Sequence, residues 1–177
     1  MTSWTPVPRR PRALIAGLGL IALGCGREPA TETVVFVDAI DSLESILTRD
    51  GVAWDPAVSH DGHGAIRIEA TGPTTVRLAE IHPASAEHVI LTYRAHLRTE
   101  GLDGQAYLEM WCSIPGKGEF FSRALQAPVS GTTGWVTQET PFFLEEGQRA
   151  QVVKLNVVVA GKGTVWVDEI ALAQTGR

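Results

Sequence analysis

The segment His88-Val-Ile-Leu-Thr-Tyr-Arg-Ala-His-Leu-Arg98 constrains this chain more than any other. Val89, Leu91, Tyr93, Ala95 and Leu97 fall on one side of a two-residue repeat, and Ile90, Thr92, Arg94, His96 and Arg98 on the other. Successive strand side chains point to opposite faces, so this alternation predicts a strand with one face in a core and one against solvent. The same period recurs along most of the chain. AIRIEA at 65–70 sets Ile66 and Ile68 against Arg67 and Glu69, and TVRLAEI at 75–81 sets Val76 and Leu78 against Arg77. QAYLEMWCS at 105–113 places Ala106, Leu108, Met110 and Cys112 on one face and Tyr107, Glu109, Trp111 and Ser113 on the reverse. Further strands are expected at 34–38, 119–126, 135–144, 152–160 and 164–172. The turns between them are marked by Asp61-Gly62, Gly72-Pro73, Gly116-Lys117-Gly118, Ser130-Gly131 and Gly161-Lys162-Gly163. A short helix is expected at 41–49, where Leu43, Ile46 and Leu47 have helical spacing. About nine short strands at regular spacing describe an all-β domain, a single β-sandwich of jelly-roll type, over residues 34–174.

The closing strand breaks its own repeat. Val165 and Val167 have one parity, and Ile170 and Leu172 the other. A half-buried strand cannot change parity without an extra residue, so a bulge is expected near Asp168-Glu169.

The first 30 residues have another logic. Arg9, Arg10 and Arg12 precede ALIAGLGLIAL at 13–23, an apolar run too short to span a bilayer as a helix. A cationic stretch followed by a short apolar run is a secretion signal. Ala22-Leu23-Gly24-Cys25 then resembles the lipobox of bacterial lipoproteins, although the preferred leucine stands one place late. That resemblance implies cleavage after residue 24, lipidation at Cys25 with palmitate-type acyl chains, and a lipidated tether over 25–33. Several acyl chains make a lasting anchor. Gly26 is not the aspartate associated with inner-membrane retention, so the resemblance implies the outer membrane in a Gram-negative cell. With Cys25 acylated, Cys112 is left as a lone thiol on an apolar face, an inert core residue.

Within the domain, Gly64-Ala-Ile-Arg-Ile68, the strand at 89–97, the Gly134-Trp135 step and Gly163-Thr-Val-Trp-Val-Asp-Glu-Ile-Ala-Leu172 resemble the galactose-binding-like jelly rolls, a superfamily that includes many carbohydrate-binding modules. The resemblance implies a sugar-binding sheet face. It also implies a structural calcium near the first and last strands, with Asp168 and an early acid, Asp38 or Asp41, as ligands and carbonyls from the 61–64 turn. The alternative for Asp168 is to cap the bulge by accepting backbone hydrogen bonds.

If 88–98 and 105–113 pair as a hairpin across a loop at 99–104, His96 opposes Tyr107, Arg94 opposes Glu109 and Thr92 opposes Trp111. Trp111 is then a stacking platform, with Arg94, His96, Tyr107 and Glu109 around it to bond hydroxyls. The competing reading is a wetted sheet face whose Arg94–Glu109 ion pair is structural. His60 and His63 flank a Gly-bearing turn but lack a third protein donor, so no metal is expected there. Ser113 and Ser122 lack a nucleophile elbow, and Glu145-Glu146 read as a solvated turn rather than a catalytic pair. The expected function is therefore non-catalytic binding at the cell envelope. A glycan is the leading ligand, and a structural or protein–protein interaction role is the alternative. A net charge of −5 without a basic stripe excludes nucleic acid as a partner.

Overall fold

A computed structural model describes residues 31–84 and 87–177. The expected signal segment and Cys25 lie outside the described residues. Eight strands run in the order β1 (Glu32–Asp38), β2 (Val52–Asp55), β3 (Ala65–Ala70), β4 (Thr74–Ile81), β5 (Val89–Ile114), β6 (Gly118–Arg123), β7 (Val129–Phe143) and β8 (Val152–Gly176). All pairings are antiparallel.

The organising feature is the length of β5 and β8. They pair with each other from Val89–Gly176 to Ser113–Val152, and the register slips between Glu100 and Asp103. That slip is a corner at which both strands leave one layer and enter the other. The first layer holds β2, β3, the second half of β8, the first half of β5, and β7. β1 pairs along the same edge of β8 as β3, further on. The second layer holds β4, the first half of β8, the second half of β5, and β6. The inner rows, Leu91, Tyr93 and Leu97 from the first and Leu108, Met110 and Cys112 from the second, merge in one core with Val153, Leu155, Val157, Ile170 and Leu172. Both outer rows therefore face away from that core, on opposite sides of the sandwich.

The corner overturns the expected hairpin between 88–98 and 105–113. Glycines gather there because two backbones touch. A Cβ on Gly163 would lie 2.7 Å from the Leu102 Cα, and one on Gly161 or Gly104 would collide with the Asp103 or Ala160 carbonyl oxygen. Gly101, Gly104 and Gly163 also have positive φ, which a side chain disfavours. Glycine and aspartate at 101–104 look in sequence like a tight turn, and here they bend a continuous strand instead. The pairings His96–Tyr107, Arg94–Glu109 and Thr92–Trp111 are consequently absent. Arg94 opposes Glu139 and Ala171, and Trp111 opposes Phe121 and Lys154.

The helix expected at 41–49 is also replaced. The segment is a string of turns, with the Leu47 and Thr48 amides both donating to the Arg77 carbonyl at 3.1 Å. It runs along β4 and buries Ile46 in the core, and these tertiary contacts outweigh a weak local helical preference. β2, only four residues long, has no alternation to announce it. The bulge in β8 is where the parity break puts it: Arg94 pairs with Ala171 and His96 with Asp168, so two residues of β5 span three of β8. Glu169 takes φ 50 at that point.

Candidate functional site

The outer face of the second layer is a grid of cross-strand rows. One row runs Glu80, Lys154, Trp111, Phe121. The next runs Arg77, Asn156, Glu109, Arg123. Thr75, Arg77, Glu109, Trp111, Glu119, Lys154 and Asn156 enclose a groove of about 300 Å³. An adjoining hollow of about 340 Å³ shares Thr75, Arg77 and Asn156 and reaches Leu47 and Thr48. A larger hollow, about 470 Å³, lies at the β3–β4 turn, but no aromatic side chain lines it.

At the groove floor the Glu109 carboxylate is 4% exposed. It accepts from Trp111 Nε1 at 2.7 Å, Arg123 Nε at 2.6 Å and Asn156 Nδ2 at 3.1 Å. Burial alone raises its pKa. The bonds from Trp111, Arg123 and Asn156 outweigh that effect and hold it below the usual range. The ionised carboxylate fixes its neighbours. It only accepts, so the Asn156 amide must turn Nδ2 toward it and Oδ1 away. Asn156 is 3% exposed, and its Oδ1 has no hydrogen-bond partner. The Nε of Arg77, directly opposite Asn156 in register, is also buried and unpartnered. A buried acceptor and a buried donor, both without partners, thus stand on register-paired residues that line the groove. Buried polar atoms left without partners are uncommon and costly.

Trp111 is half-buried and pinned by Glu109. Phe121 lies 5.0 Å away at 46°, and the Arg123 guanidinium lies over Phe121 at 4.4 Å. Lys154 pairs with Glu119 at 2.6 Å, and Arg77 lies 3.7 Å from Glu80. Every cation in the groove has an acid beside it.

The sequence-predicted ligand-binding set is therefore divided between two faces. Tyr107, Glu109 and Trp111 belong to the second-layer face, whereas Arg94 and His96 lie on the outer face of the first layer. Arg94 is saturated there. Its Nη atoms grip both Glu32 oxygens at 2.8 and 2.9 Å, and Nε donates to Glu139 at 2.9 Å. Its expected partner Glu109 is on the far side of the core. Arg77, Lys154 and Asn156 escaped the sequence reading. The one signal was a polar residue on the reverse side of a strand, at 156 as at 109.

Asp168 is fully buried. Its Oδ2 accepts the His60 amide at 2.7 Å and its Oδ1 the Glu169 amide at 3.0 Å. Burial pushes its pKa up, opposed by the His60 amide and reinforced by the charge of Asp61. Asp38 Oδ1 accepts the Ile40 amide at 2.8 Å. Calcium takes six or more oxygens. Among the described residues Asp38 and Asp168 share no cluster of metal-ligating atoms, and these two carboxylates are already turned to backbone N–H groups. Asp38 and Asp168 therefore do not form the expected calcium pair; Asp41, the other early acid, clusters instead with exposed Asp61 and His63 at the 61–64 turn. The geometry at Asp168 is the capping arrangement.

Above Asp168, on the first-layer face, His60, His96 and Glu169 converge. The two imidazoles stack at 3.7 Å, 12° from parallel. Glu169 Oε2 contacts His60 Nδ1 and lies 3.6 Å from His96 Nε2. Burial, with the nearby His60, holds His96 below the ordinary imidazole range despite the opposing charges of Glu169 and Asp168. His63 points elsewhere, 3.4 Å from Asp61.

Cys112 is a free, buried thiol whose pKa burial pushes up to about 12, the inert core cysteine its position predicts. Ser122 Oγ is bonded to Thr140 Oγ1 at 2.7 Å and to the Pro141 carbonyl at 2.6 Å, with no base beside it among the described residues.

No protein-family model matches this sequence, and no curated protein does. Solved structures match its shape. A family 16 carbohydrate-binding module superposes with a TM-score of 0.52 at 10% identity, covering 76% of this chain and 99% of its own. The CBM22-1 xylan-binding domain of Paenibacillus barcinonensis Xyn10C gives 0.57 at 10% identity, covering 84% and 99%. The CBM22-1–CBM22-2 tandem of the same protein gives 0.61 at 10% identity, covering 85% of this chain and 47% of the tandem. Likeness at this identity speaks to fold: the chain is an all-β jelly-roll sandwich of the kind seen in carbohydrate-binding modules.

Proposed function

We propose that this protein is a non-catalytic envelope lipoprotein whose β-sandwich binds a neutral glycan in the groove of its second layer. The observation that carries the reading is the open pair formed by Asn156 Oδ1 and Arg77 Nε, next to Trp111. A sugar hydroxyl is at once a donor and an acceptor. As the Asn156 and Arg77 side chains shift to admit it, it donates to Asn156 Oδ1 and accepts from Arg77 Nε, which satisfies both buried atoms. Trp111 offers an aromatic surface to the apolar face of a pyranose. Because each groove cation already has an acid beside it, a uronate finds no free countercharge, and neutral sugars are favoured. The jelly-roll fold shared with carbohydrate-binding modules supports the same class of ligand.

The test is titration calorimetry of the full chain in detergent against neutral and uronate-bearing oligosaccharides. We expect binding of a neutral sugar and loss of at least about tenfold in affinity in Asn156→Ala, on the scale of one lost hydrogen bond of about 1.4 kcal/mol. Trp111→Ala abolishes binding while the melt shifts little. Absence of binding to every neutral sugar, or undiminished binding in both variants, removes the reading.

The anchor is part of the proposal. Cys25 follows small residues at the end of an apolar run, which supports acylation there and the outer membrane as destination. Fatty-acid labelling of wild type and of Cys25→Ala decides it, and label retained in the variant refutes it.

One observation favours a partner protein instead. Phe121 and Phe143 are each about half exposed, with Pro141 between them, around a hollow of about 380 Å³ at the β6–β7 boundary. That reading takes over if the full chain binds no glycan and Phe143→Ser alters its state of association in sedimentation.

A further inference from the structure

We propose that His60, His96 and Glu169 form a binding site for a divalent transition ion, zinc, on the outer face of the first layer, opposite the glycan groove. The ligand atoms are His60 Nδ1, His96 Nε2 and Glu169 Oε2, all within 4.8 Å of one another. Two imidazoles and one carboxylate form a three-ligand zinc set that leaves a fourth position for water. Nitrogen donors select zinc, copper or nickel and exclude calcium.

Each ligand is positioned by a separate element. His60 lies in the 56–64 loop, but its backbone is fixed by the Asp168 carboxylate. Trp135 packs edge-on against its ring at 5.8 Å and donates to the Ser59 carbonyl at 2.9 Å. His96 stands in mid-strand on β5. Its Nδ1 is occupied by Thr137 Oγ1 at 3.1 Å, so Nε2 is the nitrogen turned toward Glu169, 3.6 Å away. A partner on the second ring nitrogen is the usual outer-shell arrangement of a metal-binding histidine. Glu169 is delivered by the bulge, which turns its side chain out to the edges of the two stacked rings. In sequence His60 and His63 lacked a third donor. The fold supplies donors to His60 from β5 and β8, 36 and 109 residues further along the chain, and leaves His63 with Asp41 and Asp61 in a separate, exposed cluster.

The rings are nearly parallel, and a metal must lie along the lone pair of each. Coordination therefore requires one imidazole to rotate about χ2. His60 is the ring able to do so: its side chain is 37% exposed against 23% for His96, and it is anchored through its backbone. The ion then ties the 56–64 loop to the two central strands.

The experiment uses the tag-free full chain in detergent, titrated with zinc chloride by calorimetry, with calcium chloride as the control. We expect one zinc per chain and no calcium response. Because even outer-shell losses weaken metal sites by 10–100-fold, His96→Ala and the isosteric Glu169→Gln should each lose at least roughly tenfold in zinc affinity, and Thr137→Val about tenfold. His63→Ala should bind as wild type does. Glu169→Gln keeps the test decisive if His96→Ala fails to fold. Absence of zinc uptake, uptake undiminished in Glu169→Gln, or an equal loss in His63→Ala overturns the proposal. None of these outcomes touches the glycan reading, which is measured on the other face.

Discussion

The two outer faces of this sandwich are laid on the same pair of strands, β5 and β8, yet differ in how their polar atoms are satisfied. On the first layer Arg94 meets two carboxylates, and Trp166 Nε1 donates to Asp55 at 2.9 Å under the guanidinium of Arg98. Protein answers protein there. On the second layer Glu109 is equally saturated, but its saturation has a consequence: it leaves a buried amide oxygen beneath the groove with nothing to bond. Ion pairs on a wetted face contribute little and imply no ligand. A buried acceptor held open by a charged neighbour is a different matter, because leaving it unpaired has a standing cost that a ligand removes. Arginine and glutamate occur on both faces, so residue type does not distinguish them. The hydrogen bonds do.

The comparison depends on the corner that sends β5 and β8 from one layer to the other, and breaking the corner gives the largest expected effect. Gly161→Ala drives a methyl group into the Asp103 carbonyl, with backbone on both sides and no side chain free to yield. We expect a loss of about 3 kcal/mol or more in a denaturant melt. Gly72→Ala, where an added Cβ meets nothing within 4 Å, should change stability by less than about 1 kcal/mol in either direction. Equal effects would show that the two layers do not depend on backbone contact at the corner.

Next in size is Asp168→Ala, which strips the acceptor from the part-buried His60 and Glu169 amides. The full penalty of about 1–3 kcal/mol applies to a buried donor, and water reaches these two in part, so the expected loss is about 1–3 kcal/mol in total. Hydrogen exchange should speed up at His60 before it does at Leu108. Since the carboxylate serves backbone amides, wild type and variant should differ equally in calcium and in chelator. A difference that appears only in calcium would return Asp168 to the metal role.

What the sequence made legible follows from where local pattern equals final environment. Ile66 and Ile68 alternate with Arg67 and Glu69 because β3 is paired over its whole length with one face on the core, and its bounds are the ones observed. The parity break from Val167 to Ile170 located the bulge because one extra residue reverses every side chain beyond it. The corner was illegible for the converse reason. Gly101, Asp103 and Gly104 satisfy the chemistry of a hairpin turn as well as that of a bend, and only the distant Gly161–Gly163 backbone decides between them. That single ambiguity put Arg94 and His96 on one face with Glu109 and Trp111, whereas the fold sets the two pairs on opposite faces. Leu43, Ile46 and Leu47 have helical spacing, but the Arg77 carbonyl claims the Leu47 and Thr48 amides. Asn156 was invisible as a candidate because its proposed role rests on the orientation of one amide, which Glu109 dictates from another strand.

Glu109 offers a sharper handle on the second face. Its folded-state pKa lies below the usual value near 4.5. A depressed carboxylate contributes stability that is present above the unfolded pKa and lost as pH falls through the folded one. Glu109→Gln should therefore flatten the acid limb of the stability profile below about pH 4.5. The variant should also weaken glycan binding at neutral pH, because a glutamine no longer dictates which way Asn156 turns. A flattened limb with unchanged binding would mean that Asn156 is oriented by packing alone.

The smallest expected effect is on the first face, and it sharpens the comparison from the other side. Arg94 has the better ion-pair geometry on the molecule, two bonds to Glu32 and one to Glu139, and its pKa is raised by those same two partners. If geometry alone marked a binding residue, Arg94 would rank above Arg77. Its side chain is 36% exposed, however, and the Glu32 and Glu139 side chains 41% and 60%, so water screens the pairs. Arg94→Ala should cost no more than about 1 kcal/mol. That cost should shrink further in 1 M salt, where the screening length is about 3 Å. Glycan affinity should stay at the wild-type value, since the core separates Arg94 from the groove. A melt in low and high salt beside one calorimetric titration measures both. A several-fold loss of glycan affinity in Arg94→Ala would mean that the ligand engages the first layer, and the distinction drawn between the saturated face and the open one would fall.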